Sequence, residues 1–339
     1  MIIDCHGHYT TAPPALQRFR DRQLASLRDG TAVDHEPPRI ADDELYESIS
    51  QNQLREMDER GTDAMIISPK ASAMGHHVAD LPSAQSWARA NNDLIGRVTR
   101  MFPGRFAGVA QLPQAPDAPL DAAIAELRRS VDELGVVGCN LNPDPSGGYW
   151  AGVPMTDPYW FPLYEAMVEL DVPAMIHVSA SLNPNLHTLG AQYLVADTAV
   201  YMQLVENDLF DRFPALRFVI PHGGGAIPYH LGRFRGLAQR LGRPDPLVSL
   251  ADNVFFDTCV YQPEGISLLL DVVGSTNVLF ASEMLGAVPH CVDPGSGLHW
   301  DDTKRTVDAL ALDDRTAAAV FEGNARRVYP RLASVVPAG

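Results

Sequence analysis

Eight apolar runs, each the length of a β-strand, recur along the chain and are separated by longer stretches with helical spacing. The runs are 2–5, 64–68, 106–111, 136–141, 174–177, 218–221, 254–257 and 278–281. Strands buried on both faces read as unbroken apolar runs, and strands that alternate with helices pair in parallel through crossovers. The intervening helices are predicted over 83–101, 116–134, 158–170, 193–209, 227–241, 263–273 and 313–328. In 116–134, the residues Leu120, Ile124, Leu127, Val131 and Leu134 form an apolar stripe. Near the start of the last helix, Asp313 or Asp314 favours the positive end of the helix dipole. Eight such units in 339 residues predict an α/β fold, a (β/α)8 TIM barrel forming one domain over residues 1–339. Two stretches exceed what a minimal barrel needs. Residues 9–60 are expected to form a long helical insertion after strand 1, with helices over 15–30 and 42–60 and a mobile loop over 29–40. Residues 284–299, rich in Gly and Pro, follow strand 8. Long loops at the ends of barrel strands shape the substrate pocket.

The ends of these runs carry the chemistry. The chain opens Asp4-Cys5-His6-Gly7-His8. On a strand, positions i and i+2 face the same side, so His6 and His8 can share one ion. His177, His222 and Glu283 end three further runs. A single polar strand end is ordinary. Polar ligand types at the same end of several barrel strands mark a catalytic face. Nitrogen and oxygen ligands with an open position suit one Zn²⁺ per chain, acting as a Lewis acid or water activator. Mn²⁺ and Fe²⁺ accept the same ligand types. The expected metal ligands are His6, His8, His177 and Glu283.

Charge and cysteine content narrow the partners. A net charge of −16 gives no basic face for nucleic acid or an anionic membrane. No apolar run approaches the roughly 20 residues of a membrane span. No basic segment followed by a long apolar stretch marks a secretion signal, so a cytoplasmic protein is expected. Cys5, Cys139, Cys259 and Cys291 form no CxxC pair, which argues against a thiolate zinc cluster. The first three are expected as small buried hydrophobes in a reducing compartment.

The motif around His6 and His8, the strand-five His177, the turn Pro221-His222-Gly223-Gly224-Gly225 and the closing Gly323-Asn324-Ala325-Arg326-Arg327 together resemble the amidohydrolase superfamily. The resemblance spans the whole chain and lies in the branch of amidohydrolase-related decarboxylases and hydratases. The opening Cys5-His6-Gly7-His8-Tyr9-Thr10 and Ala281-Ser282-Glu283-Met284 point to the hydratases of bacterial aromatic-acid and lignin catabolism. The resemblance implies a metal-dependent hydro-lyase that hydrates an unsaturated oxo-tricarboxylate and works as a homo-oligomer, expected as a dimer. The alternatives it implies are decarboxylation with the same metal, or hydrolysis of a lactone or amide.

One departure discriminates among these. Most of the superfamily ends strand 8 with Asp, as decarboxylases of this branch do, whereas this chain has Glu283. Strand 4 ends Asn140-Leu141-Asn142 with no lysine to bridge two metals, so one metal is expected. Adding water to an activated C=C also needs a group that moves protons within hydrogen-bond reach, and Glu283 and His222 are the candidates. A polycarboxylate substrate needs cations and donors, for which Arg233, Lys70, Tyr193 and Asn142 are the expected residues. His76 and His77 are read as surface or lid residues. Gly223-Gly224-Gly225 lacks the lysine of a phosphate-binding loop and reads as a tight turn.

Overall fold

The computed structural model describes residues 1–78 and 80–337. Eight strands, β1 (Ile3–Tyr9), β2 (Ala64–Pro69), β3 (Phe106–Gln111), β4 (Gly138–Leu141), β5 (Ala174–Ile176), β6 (Phe218–Ile220), β7 (Val254–Asp257) and β8 (Val278–Leu279), pair in parallel in chain order. Every strand residue is buried, which is why the runs carry no polar alternation. The sheet curls in the manner of a (β/α)8 barrel, and its ends meet. Cys5 N donates to Phe280 O at 2.9 Å. The buried Asp4 carboxylate accepts from Ser282 N at 3.1 Å and from the Ser282 hydroxyl. Burial pushes that carboxyl up to about 6.

Alternate strand residues divide between two cores. Ile3, Ile66, Val109, Met175, Val219 and Phe255 pack inward, together with Tyr329 and Leu332 of the C-terminal segment. Leu141, Ile176 and Ile220 pack outward against helical residues such as Leu127, Leu163 and Leu204. Burial of this kind stabilises by about 25 cal/mol per Å² of apolar surface. No helix among the described residues is long and apolar enough to cross a membrane.

Strands β5, β6 and β8 end before His177, Pro221 and Phe280. Pro221 has no N–H to extend the ladder. The helix expected over 116–134 begins only at Asp121, because Pro116 and Pro119 interrupt its first turn. That expected over 158–170 opens as a 3₁₀ turn, Pro158–Trp160, before the helix Phe161–Leu170. The final helix contains a π-turn, Ala319–Gly323, and Asp313 caps it by accepting from Thr316 N.

Between β1 and β2 lie the helices Pro14–Asp29, Asp42–Ser50 and Gln53–Arg60. A buried ionic link joins this segment to the one after β8. The Arg60 guanidinium bonds Glu56 at 2.8 Å and Asp301 at 2.9 Å, and Asp301 Oδ2 accepts from Leu285 N at 3.0 Å. Both segments border the cavity described next.

Candidate active site

Three imidazoles converge at the C-terminal ends of β1 and β5. His6 Nε2 lies 3.1 Å from His8 Nε2, which lies 3.1 Å from His177 Nε2. All three are at most 4% exposed. Their outer nitrogens are occupied. His177 Nδ1 is 2.9 Å from Val178 O, an atom that only accepts, so Nδ1 carries the proton. His6 Nδ1 donates to Asp257 Oδ2 at 2.8 Å. Burial would raise the Asp257 carboxyl, but its hydrogen bond and charge interaction with His6 hold it below the usual range. His8 Nδ1 is 2.7 Å from Ser68 Oγ, whose own hydroxyl donates to Pro69 O at 2.9 Å, so the serine accepts. Burial holds His8 and His177 well below the usual imidazole value, and both are neutral.

With protons on Nδ1, three Nε2 lone pairs face one another. That arrangement is repulsive unless a cation lies between them. Nitrogens bonded to one ion at about 2.0–2.1 Å lie roughly 2.8–3.4 Å apart in tetrahedral or octahedral sets. The observed spacing therefore fits a single metal ion, with each ring oriented by a partner on its far nitrogen. Glu283 Oε1 lies 4.0 Å from His8 Nε2. Ligand atoms of His6, His177, His222 and Glu283 all fall within 4.8 Å of one another.

His222 approaches from the turn after β6. Its Nδ1 is 2.9 Å from Asp197 Oδ2, and its buried Nε2 has no partner among the described residues. Burial alone would lower its pKa, but the charge and hydrogen bond of Asp197, aided by Glu283 and Asp257, raise it to about 9. Burial pushes Asp197 up to about 6, against the pull of His222. Between those values the two form an ion pair. The turn that sets His222 requires glycine. Gly224 and Gly225 have φ of 80° and 59°, and a Cβ would meet the Phe256 ring at 2.7 Å and Leu194 O at 2.6 Å respectively. The ring of Tyr193 stacks on His222 at 5.4 Å between centroids.

Beside these groups lies a cavity of about 280 Å³, whose lining includes His8, Thr10, Lys70, Ser72, Tyr193 and Glu283. Lys70 is the cation among the lining residues. Of the residues expected to bind substrate, Lys70 and Tyr193 border this cavity and Arg233 and Asn142 do not. Arg233 is exposed, because Leu231, Phe234 and Ala238 supply the buried face of its helix, Ile227–Arg240. Asn142 is fully buried. Its amide nitrogen lies 2.8 Å from His76 Nδ1, and its Oδ1 accepts from Asp144 N at 2.9 Å. This corrects the surface reading of His76 as well. That residue is 1% exposed, donates from Nε2 to Leu112 O at 3.2 Å, and is driven by burial to a pKa of about 4.

Asp257, Asp197, Ser68 and Tyr261 stand at the site without having been singled out in the sequence. Asp257 closes the apolar run of β7, the same signal that marks the histidines. Asp197 lies inside the helix Gly190–Glu206 and Tyr261 in a connecting segment, where no periodicity distinguishes them.

A parallel barrel that gathers histidines at the C-terminal ends of its strands has the architecture of a barrel enzyme with its site on the strand-end face. The chain belongs to the amidohydrolase family, whose model matches residues 3–331. It is 57% identical over 332 residues to the 2-keto-4-carboxy-3-hexenedioate hydratase of Sphingobium sp. (strain NBRC 103272 / SYK-6), covering 98% of this chain and 97% of that protein. The crystal structure of 4-oxalomesaconate hydratase from Rhodopseudomonas palustris superposes with a TM-score of 0.90 at 50% identity, covering 98% and 97% of the two chains. A dihydroxybenzoic acid decarboxylase from Polaromonas sp. JS666, solved with bound manganese, gives a TM-score of 0.68 at 21% identity, covering 97% and 96%. That last likeness is one of fold alone.

Proposed function

We propose that this protein is a zinc-dependent hydratase that adds water to a C=C of 4-oxalomesaconate, giving 4-carboxy-4-hydroxy-2-oxoadipate. The observation that carries the reading is the full-length 57% identity to a hydratase, joined to Glu283 at the position beside the imidazole cluster. The likeness to decarboxylases is distant by comparison. The protein is read as one domain, cytoplasmic, with residues 9–60 as a helical insertion bordering the cavity. Exposed Leu194, Val195 and Tyr229 support a self-associating surface and a homodimer.

His6, His8 and His177, with Glu283, are the residues that would hold the cation. Held there, it supplies Lewis acidity and lowers the pKa of water. Asp257, Ser68 and the Val178 carbonyl keep each Nε2 aimed inward. Glu283 takes a proton from water as the new C–O bond forms at the alkene carbon, and the displaced electron pair moves toward the oxygen of the carbonyl conjugated with that alkene. His222, kept protonated by Asp197, hydrogen-bonds the oxygen on which charge develops. Glu283 then delivers the proton to the neighbouring carbon, so that one water is added and nothing leaves. Lys70, with Tyr193, binds a substrate carboxylate. The experiment is loss of the ultraviolet absorbance of 4-oxalomesaconate on adding protein, abolished by chelator and restored by zinc. Activity indifferent to chelator overturns the metal assignment.

Two variants test the supporting residues. Lys70→Ala is expected to raise KM about tenfold with a smaller change in kcat, as for a lost charged hydrogen bond to substrate. Unchanged kinetics remove Lys70 from the binding site. Asp197→Asn preserves shape but removes the charge that keeps His222 protonated. It should lower kcat by about tenfold or more while circular dichroism stays unchanged. Wild-type turnover in this variant would show that His222 acts without it.

A further inference from the structure

Hydration as described gives no role to Tyr261, which stands at the centre. Tyr261 follows β7, and its hydroxyl donates to Glu283 Oε2 at 2.8 Å. The other carboxylate oxygen, Oε1, is the one that faces His8. We infer that Tyr261 is a positioning residue for Glu283. It occupies one oxygen of the carboxylate so that the other is presented to the imidazole cluster. This rests on the reading of Glu283 as the proton-transferring carboxylate.

Three observations carry the inference. A carboxylate turns about its last torsion in a broad, roughly two-fold well, so nothing intrinsic to Glu283 selects one oxygen. The hydroxyl of Tyr261 supplies that selection, and Glu283 is only 3% exposed, so water competes little for the bond. The backbone is committed to the pairing as well. Tyr261 has φ of 64° and Glu283 of 51°, both left-handed and both unfavourable for a residue with a Cβ. Such conformations persist where the surroundings over-determine them, typically at functional sites. Finally, the carboxylate is confined on another side. A Cβ at Gly286 would lie 2.7 Å from Glu283 Cγ and 3.0 Å from Cδ, so the glycine backbone packs directly on the side chain. The ring of Tyr261 has a separate setting. It lines a second cavity of about 420 Å³ together with Gln262, Trp300 and Asp302. Phe at this position keeps that wall and removes only the hydroxyl.

The test is a double-mutant cycle on the zinc-loaded protein, using Tyr261→Phe, Glu283→Gln and both together, with 4-oxalomesaconate as substrate. Tyr261→Phe is expected to lower kcat about 10- to 100-fold with KM within about twofold, the range seen when a residue that orients a metal-site ligand is lost. In the Glu283→Gln background the same change should have little further effect, because the hydroxyl acts only through the carboxylate. Competition with a zinc chelator provides a readout independent of turnover, and Tyr261→Phe should yield zinc more readily than wild type. Wild-type kcat and zinc retention in Tyr261→Phe overturn the inference. So does a loss of equal factor in both backgrounds, which is what a structural role would produce. A wild-type protein that does not hydrate the substrate overturns the underlying reading instead, and zinc competition then still decides whether Tyr261 positions Glu283.

Discussion

Glu283→Gln lowers hydration by about 10²-fold or more while the protein still binds substrate, the expected result for loss of a general acid–base group. The substitution is nearly isosteric and keeps an oxygen to accept from Tyr261, so packing after β8 is preserved. What is lost is the capacity to take up a proton. Metal content measured beside turnover separates the two roles this residue can combine. If proton transfer dominates, the variant retains zinc and is slow. If ligation dominates, zinc is depleted, and added zinc restores part of the rate. A variant with full zinc and near-normal turnover would remove Glu283 from the mechanism and leave His222 as the acid–base group.

The second large effect belongs to the imidazoles. His177→Ala removes one of three Nε2 atoms that converge within 3.1 Å contacts. Metal bound per chain after dialysis should fall from about one to near zero. Turnover should fall about 10³-fold or more, since metal-ion catalysis supplies several kcal/mol of transition-state stabilisation. The folded metal-free protein should be little affected, because the lost group contributed a repelling lone pair. Zinc should therefore raise the melting temperature of wild type but not of the variant, the signature of ligand binding linked to the native state. A His177→Ala protein that keeps a full metal complement refutes the proposed ligand set.

The barrel was legible because its strands are buried on both faces. Unbroken runs such as Phe255-Phe256 in β7 leave no ambiguity of period, and the intervening helices are long enough to be separated from them. Boundaries were less legible where a run continues past its ladder, as at Pro221. There the apolar character reflects burial around the site rather than pairing. The imidazole cluster could be read because each member ends a strand. Residues that orient the cluster follow a different logic. Ser68 and Asp257 also end strands, yet their types are common at such places and do not stand out. Asp197 is a buried carboxylate in the middle of a helix, and only its 2.9 Å approach to His222 reveals its place. Arg233 and Asn142 lie off the cavity for opposite reasons. The first follows the site's turn along the chain but falls on the solvent face of its helix. The second ends a strand as expected but spends its amide on His76. Sequence proximity to a strand end thus selects elements well and side-chain directions poorly.

The reaction itself is open to direct assay. Zinc-loaded protein incubated with 4-oxalomesaconate, with products followed by NMR and headspace carbon dioxide recorded together, tests it most directly. The account predicts a single product bearing a new hydroxyl, with all three carboxylates retained and no carbon dioxide above background. Stoichiometric carbon dioxide, or a substrate left unchanged by the metal-replete protein, would contradict it.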